Sequence, residues 1–142
     1  MDMLNHDLAL PMATTLLLTF AVWIYLFVTR VGYMSANNIS AERLKTPADA
    51  QALIPSEVSA ASNNFKNLLE VPVVFYVVCL YLTVFGLVDS LHLACAWVFV
   101  VGRIGHSLVH CTYNKVMHRF AIYLLSSIAV WIMVVRAFLA VL

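Results

Sequence analysis

Four apolar stretches, each long enough to cross a bilayer, constrain this chain more than any other feature. A spanning helix needs about 20 mostly apolar residues, since the hydrocarbon core is about 30 Å thick and each residue rises about 1.5 Å. The first stretch runs from about Leu8 to Thr29 without a charge, and the second covers Leu68 to Leu87 with Glu70 as its only charge. The third runs from Ser90 to about Thr112 and carries Arg103, His106 and His110; the fourth runs from Phe120 to the C-terminus, with Arg136 near its end. Little chain is left for anything else. The pattern predicts an all-α membrane protein, a four-transmembrane-helix bundle forming one domain over residues 1–142, with helices at about 8–29, 56–86, 90–113 and 119–141 and a cytoplasmic loop at 30–55. No Lys or Arg precedes the first stretch and no small-residue cleavage site clearly follows it, so it reads as a retained span, not a signal peptide.

Composition removes the soluble alternatives. Only 11% of the residues are charged and 63% are apolar, against about 25% and 45–50% in globular chains. With 8 Lys/Arg against 7 Asp/Glu, the net charge of +1 offers no basic stripe for a phosphate backbone, which excludes nucleic acid as a partner. Cys79, Cys95 and Cys111 form neither CxxC nor a Cys/His cluster of zinc spacing, so no structural disulfide or metal site is expected.

Two prolines organise the second span. Pro55, followed by Ser56 and Glu57, suits a helix start, so this helix begins before the membrane. Pro72 removes a backbone donor and frees the carbonyl of Leu68, which predicts a bend just after Glu70. Basic residues set the orientation: six of the eight lie in Arg30–Lys66 and Lys115–Arg119, which places loops 1 and 3 in the cytoplasm and both termini on the other side.

A charge at membrane depth costs on the order of 2.5–3.5 kcal/mol on insertion scales, so Glu70 and Arg103 each require a reason. They lie at similar depth, roughly 25 and 20 Å along their helices from the non-cytoplasmic turn at about 1.5 Å per residue. Asn63, Asn67 and Glu70 follow i, i+4, i+7 spacing; Arg103, His106 and His110 follow i, i+3, i+7. Each set shares one helical face. Arg30 and Arg119 end and open helices at the same level. Two readings stay open at this point. The layer binds a small anionic or zwitterionic ligand, or Glu70 and Arg103 form a buried ion pair while Arg30, Lys66 and Arg119 meet lipid phosphates. Gly102 and Gly105 read as points of close helix approach, and Trp23, Tyr25, Tyr76, Tyr81, Trp97, Tyr123 and Trp131 as lipid-facing or packing residues.

At Asn63–Tyr76, NNFKNLLEVPVVFY, and at Gly102–Arg119, GRIGHSLVHCTYNKVMHR, the sequence resembles the MAPEG superfamily, the membrane-associated proteins of eicosanoid and glutathione metabolism. The likeness covers the whole chain and is greatest to the small bacterial branch, with its NLxExPxxFY-type run and RxxH on the next span. It implies a homotrimer in the bacterial inner membrane, with glutathione as co-substrate between neighbours near the cytoplasmic side and no metal. By the same resemblance Asn67 and Glu70 match the NxxE pair, and Arg103 and His106 match the pair on the third span. Arg119 matches the catalytic arginine that activates the glutathione thiol, while Arg30, Lys66 and His110 stand at binding positions. His110 occupies a position commonly tyrosine, and Asn63 one commonly arginine.

The resemblance implies a glutathione-dependent transferase or peroxidase, its thiolate attacking a lipophilic electrophile or hydroperoxide that arrives from the membrane lipid. A thiolate is favoured by neighbouring positive charge, so Arg119 fits the role assigned to it. The alternatives are a non-catalytic lipid- or glutathione-binding scaffold of the same fold, and a small multidrug-type transporter suggested by a single intramembrane glutamate.

Overall fold

The computed structural model describes residues 8–142. The N-terminus, whose non-cytoplasmic placement the charge pattern implies, lies outside the described residues. Helix α1 spans Ala9–Ala36, α2 Pro47–Leu53, α3 Ser56–Leu68, α4 Val71–Val84, α5 Ser90–Cys111 and α6 Val116–Leu139. With α3 and α4 taken as one broken span, four helical segments are long and apolar enough to cross a membrane. This is a four-helix, multi-pass membrane fold.

Helix α1 continues past Thr29 because no breaker intervenes before Asn37 and Asn38. Asn37 closes the last turn by donating its side-chain amide to the carbonyl of Tyr33, and Asn38 takes a left-handed φ of 52°. The connection that follows is partly helical. Thr46 and Asp49 form a reciprocal capping box, Thr46 Oγ1 accepting from the Asp49 amide at 3.2 Å and Asp49 accepting from the Thr46 amide at 3.1 Å. Such a box orders both backbone donors at the helix start, and Pro47 occupies the first turn.

Pro72 divides the second span. It sits in the first turn of α4, where its missing donor is harmless, and Leu69 and Glu70 form the break between α3 and α4. The hairpin to α5 turns at Gly86, whose φ of 66° suits a residue without Cβ. Asp89 caps α5 by accepting from the His92 amide at 2.9 Å. The span ends at Cys111 and α6 starts at Val116, three residues before Arg119, with Asn114 turning the chain at φ 48°.

The core lies where α4, α5 and α6 meet, around Phe75, Val78, Leu82, Phe99, Val100, Val130 and Met133. Gly102 permits the closest approach in it: a Cβ there would stand 2.6 Å from the Cβ of Ser126 on α6. Gly105 is looser, its nearest neighbour at 3.8 Å. In α1 only 11% of the spanning window is buried, against 50% in α5, so α1 leaves most of its apolar surface outward. In lipid that exposure carries no hydrophobic cost.

Candidate functional site

The break in the second span opens the site. A continuous helix would spend the carbonyl of Asn67 on the amide of Val71 and that of Leu68 on residue 72, which is proline. The Glu70 amide reaches the Asn67 carbonyl only at 3.4 Å, and Arg103, reaching from α5, adds a shorter bond: its Nη2 donates at 3.1 Å to that carbonyl and at 2.8 Å to the Asn67 side-chain Oδ1. Asn67 passes the connection on, donating from Nδ2 to Glu70 Oε2 at 3.0 Å. A guanidinium at the frayed C-terminus of α3 also complements the partial negative charge of that helix end.

This chain runs from inside to outside. Arg103 is fully enclosed, Asn67 half-buried and Glu70 exposed on the outer face of the bundle. The direct Glu70–Arg103 ion pair that equal depth suggests is not formed: among the described residues no cationic nitrogen lies within 4.0 Å of Glu70. Asn67 stands between them. Within the subunit the enclosed guanidinium reaches the surface only by way of Asn67.

Below Arg103, α3 and α5 are joined by a second polar contact. Asn64, fully buried, accepts from Ser107 Oγ at 3.4 Å and donates to Cys111 Sγ at 3.5 Å. The inward polar face of α3 is therefore Asn64 and Asn67; Asn63, one residue earlier, faces outward into a cavity between α1, α3 and the first loop. His106 and His110 are buried on α5 with their rings edge to face at 5.4 Å. The ring of Tyr123 lies 6.0 Å from His106, and Arg103 Cζ is 5.7 Å from the Tyr123 centroid, a cation–π distance. Tyr123, read from sequence as lipid-facing or packing, thus packs its ring against this cluster. The hydroxyl of Tyr76 is enclosed within the subunit. Tyr123 lies one helical turn beyond Arg119, a spacing that could have pointed to it.

Several nitrogens here have no partner among the described residues: Arg103 Nε and Nη1, and Nδ1 of both His106 and His110. Each unsatisfied buried donor or acceptor costs about 1–3 kcal/mol. A bundle that needed only stability would fill such a space with apolar side chains.

The other expected site residues lie elsewhere. Arg30 and Lys66 line a cavity of about 520 Å³ between the C-terminal part of α1, α3 and the loop carrying α2. Arg119, in the first turns of α6, donates to Asn114 Oδ1 in the turn before it. Of the eight residues expected to meet a ligand, the structure joins Asn67, Glu70 and Arg103 by hydrogen bonds, stacks His106 with His110, pairs Arg30 with Lys66 across the cavity, and holds Arg119 on its own turn.

A bundle of four spans whose polar core leads to an exposed carboxylate defines a class: a multi-pass membrane protein with a buried polar cluster. The sequence model of the MAPEG family matches residues 8–139, nearly the whole chain, and the chain belongs to that family. Membership makes it, in general terms, a membrane protein of the kind associated with glutathione and eicosanoids. No curated protein and no solved structure matches the chain.

Proposed function

We propose that the protein is a glutathione-dependent membrane transferase or peroxidase, working as a homotrimer whose subunits close over Glu70. The observation that supports this most is the carboxylate itself. A charge within a span needs a partner or water; among the described residues no cation pairs with Glu70, yet Asn67 fixes one of its oxygens. A carboxylate held in place and left without a cation suits an ammonium group, and glutathione carries one beside two carboxylates and a thiol.

In this reading Glu70 takes the ammonium and Asn67 orients Glu70. Arg103 holds Asn67 and, with His106 and His110, keeps the polar core that stiffens the break. Arg119 stabilises the thiolate, which lowers the thiol pKa by charge and hydrogen bonding. The sulfur then forms a bond to the electrophilic carbon and expels its leaving group. With a hydroperoxide, it takes the distal oxygen and releases the alcohol. Exposed apolar side chains along α1 and α6 would let a lipophilic substrate approach from the bilayer.

The purified protein, given glutathione with an aryl halide or a lipid hydroperoxide, is expected to turn over. Arg119→Ala is expected to lower turnover by about tenfold or more while glutathione binding and oligomeric state persist. Absence of both turnover and any glutathione-induced thermal shift would contradict the proposal. Binding without turnover would favour the non-catalytic scaffold. Because Arg103 does not occupy Glu70, a proton-coupled transporter is a specific rival, and uptake that is lost in Glu70→Gln would support it.

A further inference from the structure

The turn between α5 and α6 carries a histidine outside the polar core. Two adjacent residues in the first turns of α6 each reach back five residues to adjacent residues of that turn. The Tyr113 hydroxyl is hydrogen-bonded to His118 Nδ1 at 3.1 Å, and Arg119 Nη1 donates to Asn114 Oδ1. The turn itself is fixed, with Asn114 at φ 48° and its amide donating to the Val109 carbonyl at 2.8 Å. His118 and Arg119 therefore start from neighbouring points and are anchored at neighbouring points. The rings of Tyr113 and His118 also meet edge to face, 5.8 Å apart.

Among the described residues the other histidines, His92, His106 and His110, are buried, whereas His118 is exposed. Its Nδ1 is taken by Tyr113, and its Nε2 makes no hydrogen bond among the described residues. A tyrosine hydroxyl donates to a bare Nδ1 and accepts from a protonated one, so Tyr113 holds the ring in either state while Nε2 stays free.

Reduction of a hydroperoxide needs such a group. When the thiolate sulfur bonds to the distal oxygen, the O–O bond breaks and its electron pair leaves on the proximal oxygen as an alkoxide, while the sulfur becomes a sulfenic acid. An alkoxide departs readily only if it is protonated as it forms. Arg119 supplies charge but not this proton, because a guanidinium is not deprotonated in proteins. An aryl halide, by contrast, expels halide and needs no proton.

We infer that His118 is the proton donor to the departing alkoxide, through Nε2, and that Tyr113 is the residue that positions it. The inference rests on the glutathione reading proposed above and adds the substrate class for which the turn is built, alkyl and lipid hydroperoxides. His118 regains its proton from solvent, to which it is exposed. The sulfenic acid condenses with a second glutathione to give the disulfide and water.

The test compares two co-substrates, cumene hydroperoxide and chlorodinitrobenzene, with the full chain in nanodiscs and glutathione in excess. His118→Gln is expected to lower kcat for the hydroperoxide by about tenfold or more, with KM little changed, so that the ratio of peroxide to aryl halide turnover falls by the same factor. Added imidazole is expected to restore that ratio, and Tyr113→Phe to lower it by less. A second readout needs no turnover: cumyl alcohol, the product, is expected to move the His118 Nε2 resonance of the resting protein in nitrogen NMR, and to move it less in Tyr113→Phe. Equal loss with both co-substrates in His118→Gln, an unchanged ratio, conjugation by wild type without peroxide reduction, or an unmoved Nε2 resonance would overturn the inference and leave the glutathione reading standing. Wild type inert to both co-substrates and without a glutathione-induced thermal shift would remove that reading, and this inference with it.

Discussion

Helix α5 carries a basic cluster at each end, and the two are built differently. At its start, Asp89 accepts the His92 amide, forms an ion pair with Arg136, and lies 2.8 Å from His92 Nδ1, close but not aligned as a hydrogen bond. Arg136 Nε also reaches His92 Nε2 at 3.4 Å. Every charge there has its counter-charge within the subunit, and the effect is to tie the start of α5 to the end of α6. Toward its other end, Arg103 has no carboxylate within 4.0 Å among the described residues, donates through a single nitrogen, and reaches Glu70 only by way of Asn67. The first cluster is complete in itself. The second ends on Glu70, an acid without a cation among the described residues, and under the proposed function that difference separates a clamp from a binding site.

The largest expected effect separates stability from function at the open cluster. Arg103→Met removes a buried charge but keeps much of the volume, a change that is often neutral or stabilising. It also releases Asn67 and hence Glu70, and loss of positioning of this kind costs about a hundredfold in rate. The expected outcome is turnover reduced by about that factor with a melting temperature close to wild type; a collapsed melting temperature would make Arg103 a structural residue like Arg136.

Gly102→Ala probes the contact on which both clusters depend. Its Cβ would meet Ser126 at 2.6 Å, so α5 and α6 must separate. A loss of about 1–3 kcal/mol in stability is expected from such overpacking, measurable by denaturant or thermal unfolding. Tyr123→Leu removes the ring facing Arg103 and should cost about 0.5–2 kcal/mol, whereas Tyr123→Phe keeps the ring and should cost far less.

The smallest effect belongs to the clamp. The His92 amide, with His92 and Arg136 nearby, holds the Asp89 carboxyl below its ordinary range. Its contribution is therefore complete above about pH 4, the unfolded value, and is lost as pH falls through the lower folded value. Asp89→Asn should lower the melting temperature slightly near neutral pH, less so in strong acid, and leave glutathione turnover unchanged. Loss of turnover in this variant would erase the distinction between the two ends.

The sequence made the spans legible because hydropathy and length are local properties, and the motifs around Glu70 and Arg103 carried the family. It also pointed to the break at Glu70, since Pro72 cannot donate to Leu68. Partner choice was less legible. Depth counting put Glu70 beside Arg103, but the helix break turns Asn67 between them. Neighbouring residues on a helix point about 100° apart, so only one of Asn63 and Asn64 can enter the core, and it is Asn64. Tyr123 resembles any aromatic in an apolar helix until α5 is packed against it. Lys45 joins Arg30 and Lys66 around their cavity only through the folding of the first loop, which no helical periodicity reports.

The account rests on Glu70 being held ready for an ammonium group. The most direct measurement compares binding of glutathione and N-acetylglutathione to wild type and Glu70→Gln by titration calorimetry in detergent. Wild type is expected to bind glutathione at least tenfold more tightly than the acetylated form, and Glu70→Gln to lose that preference. Equal binding of the two thiols by wild type, or a preference that survives Glu70→Gln, would contradict it.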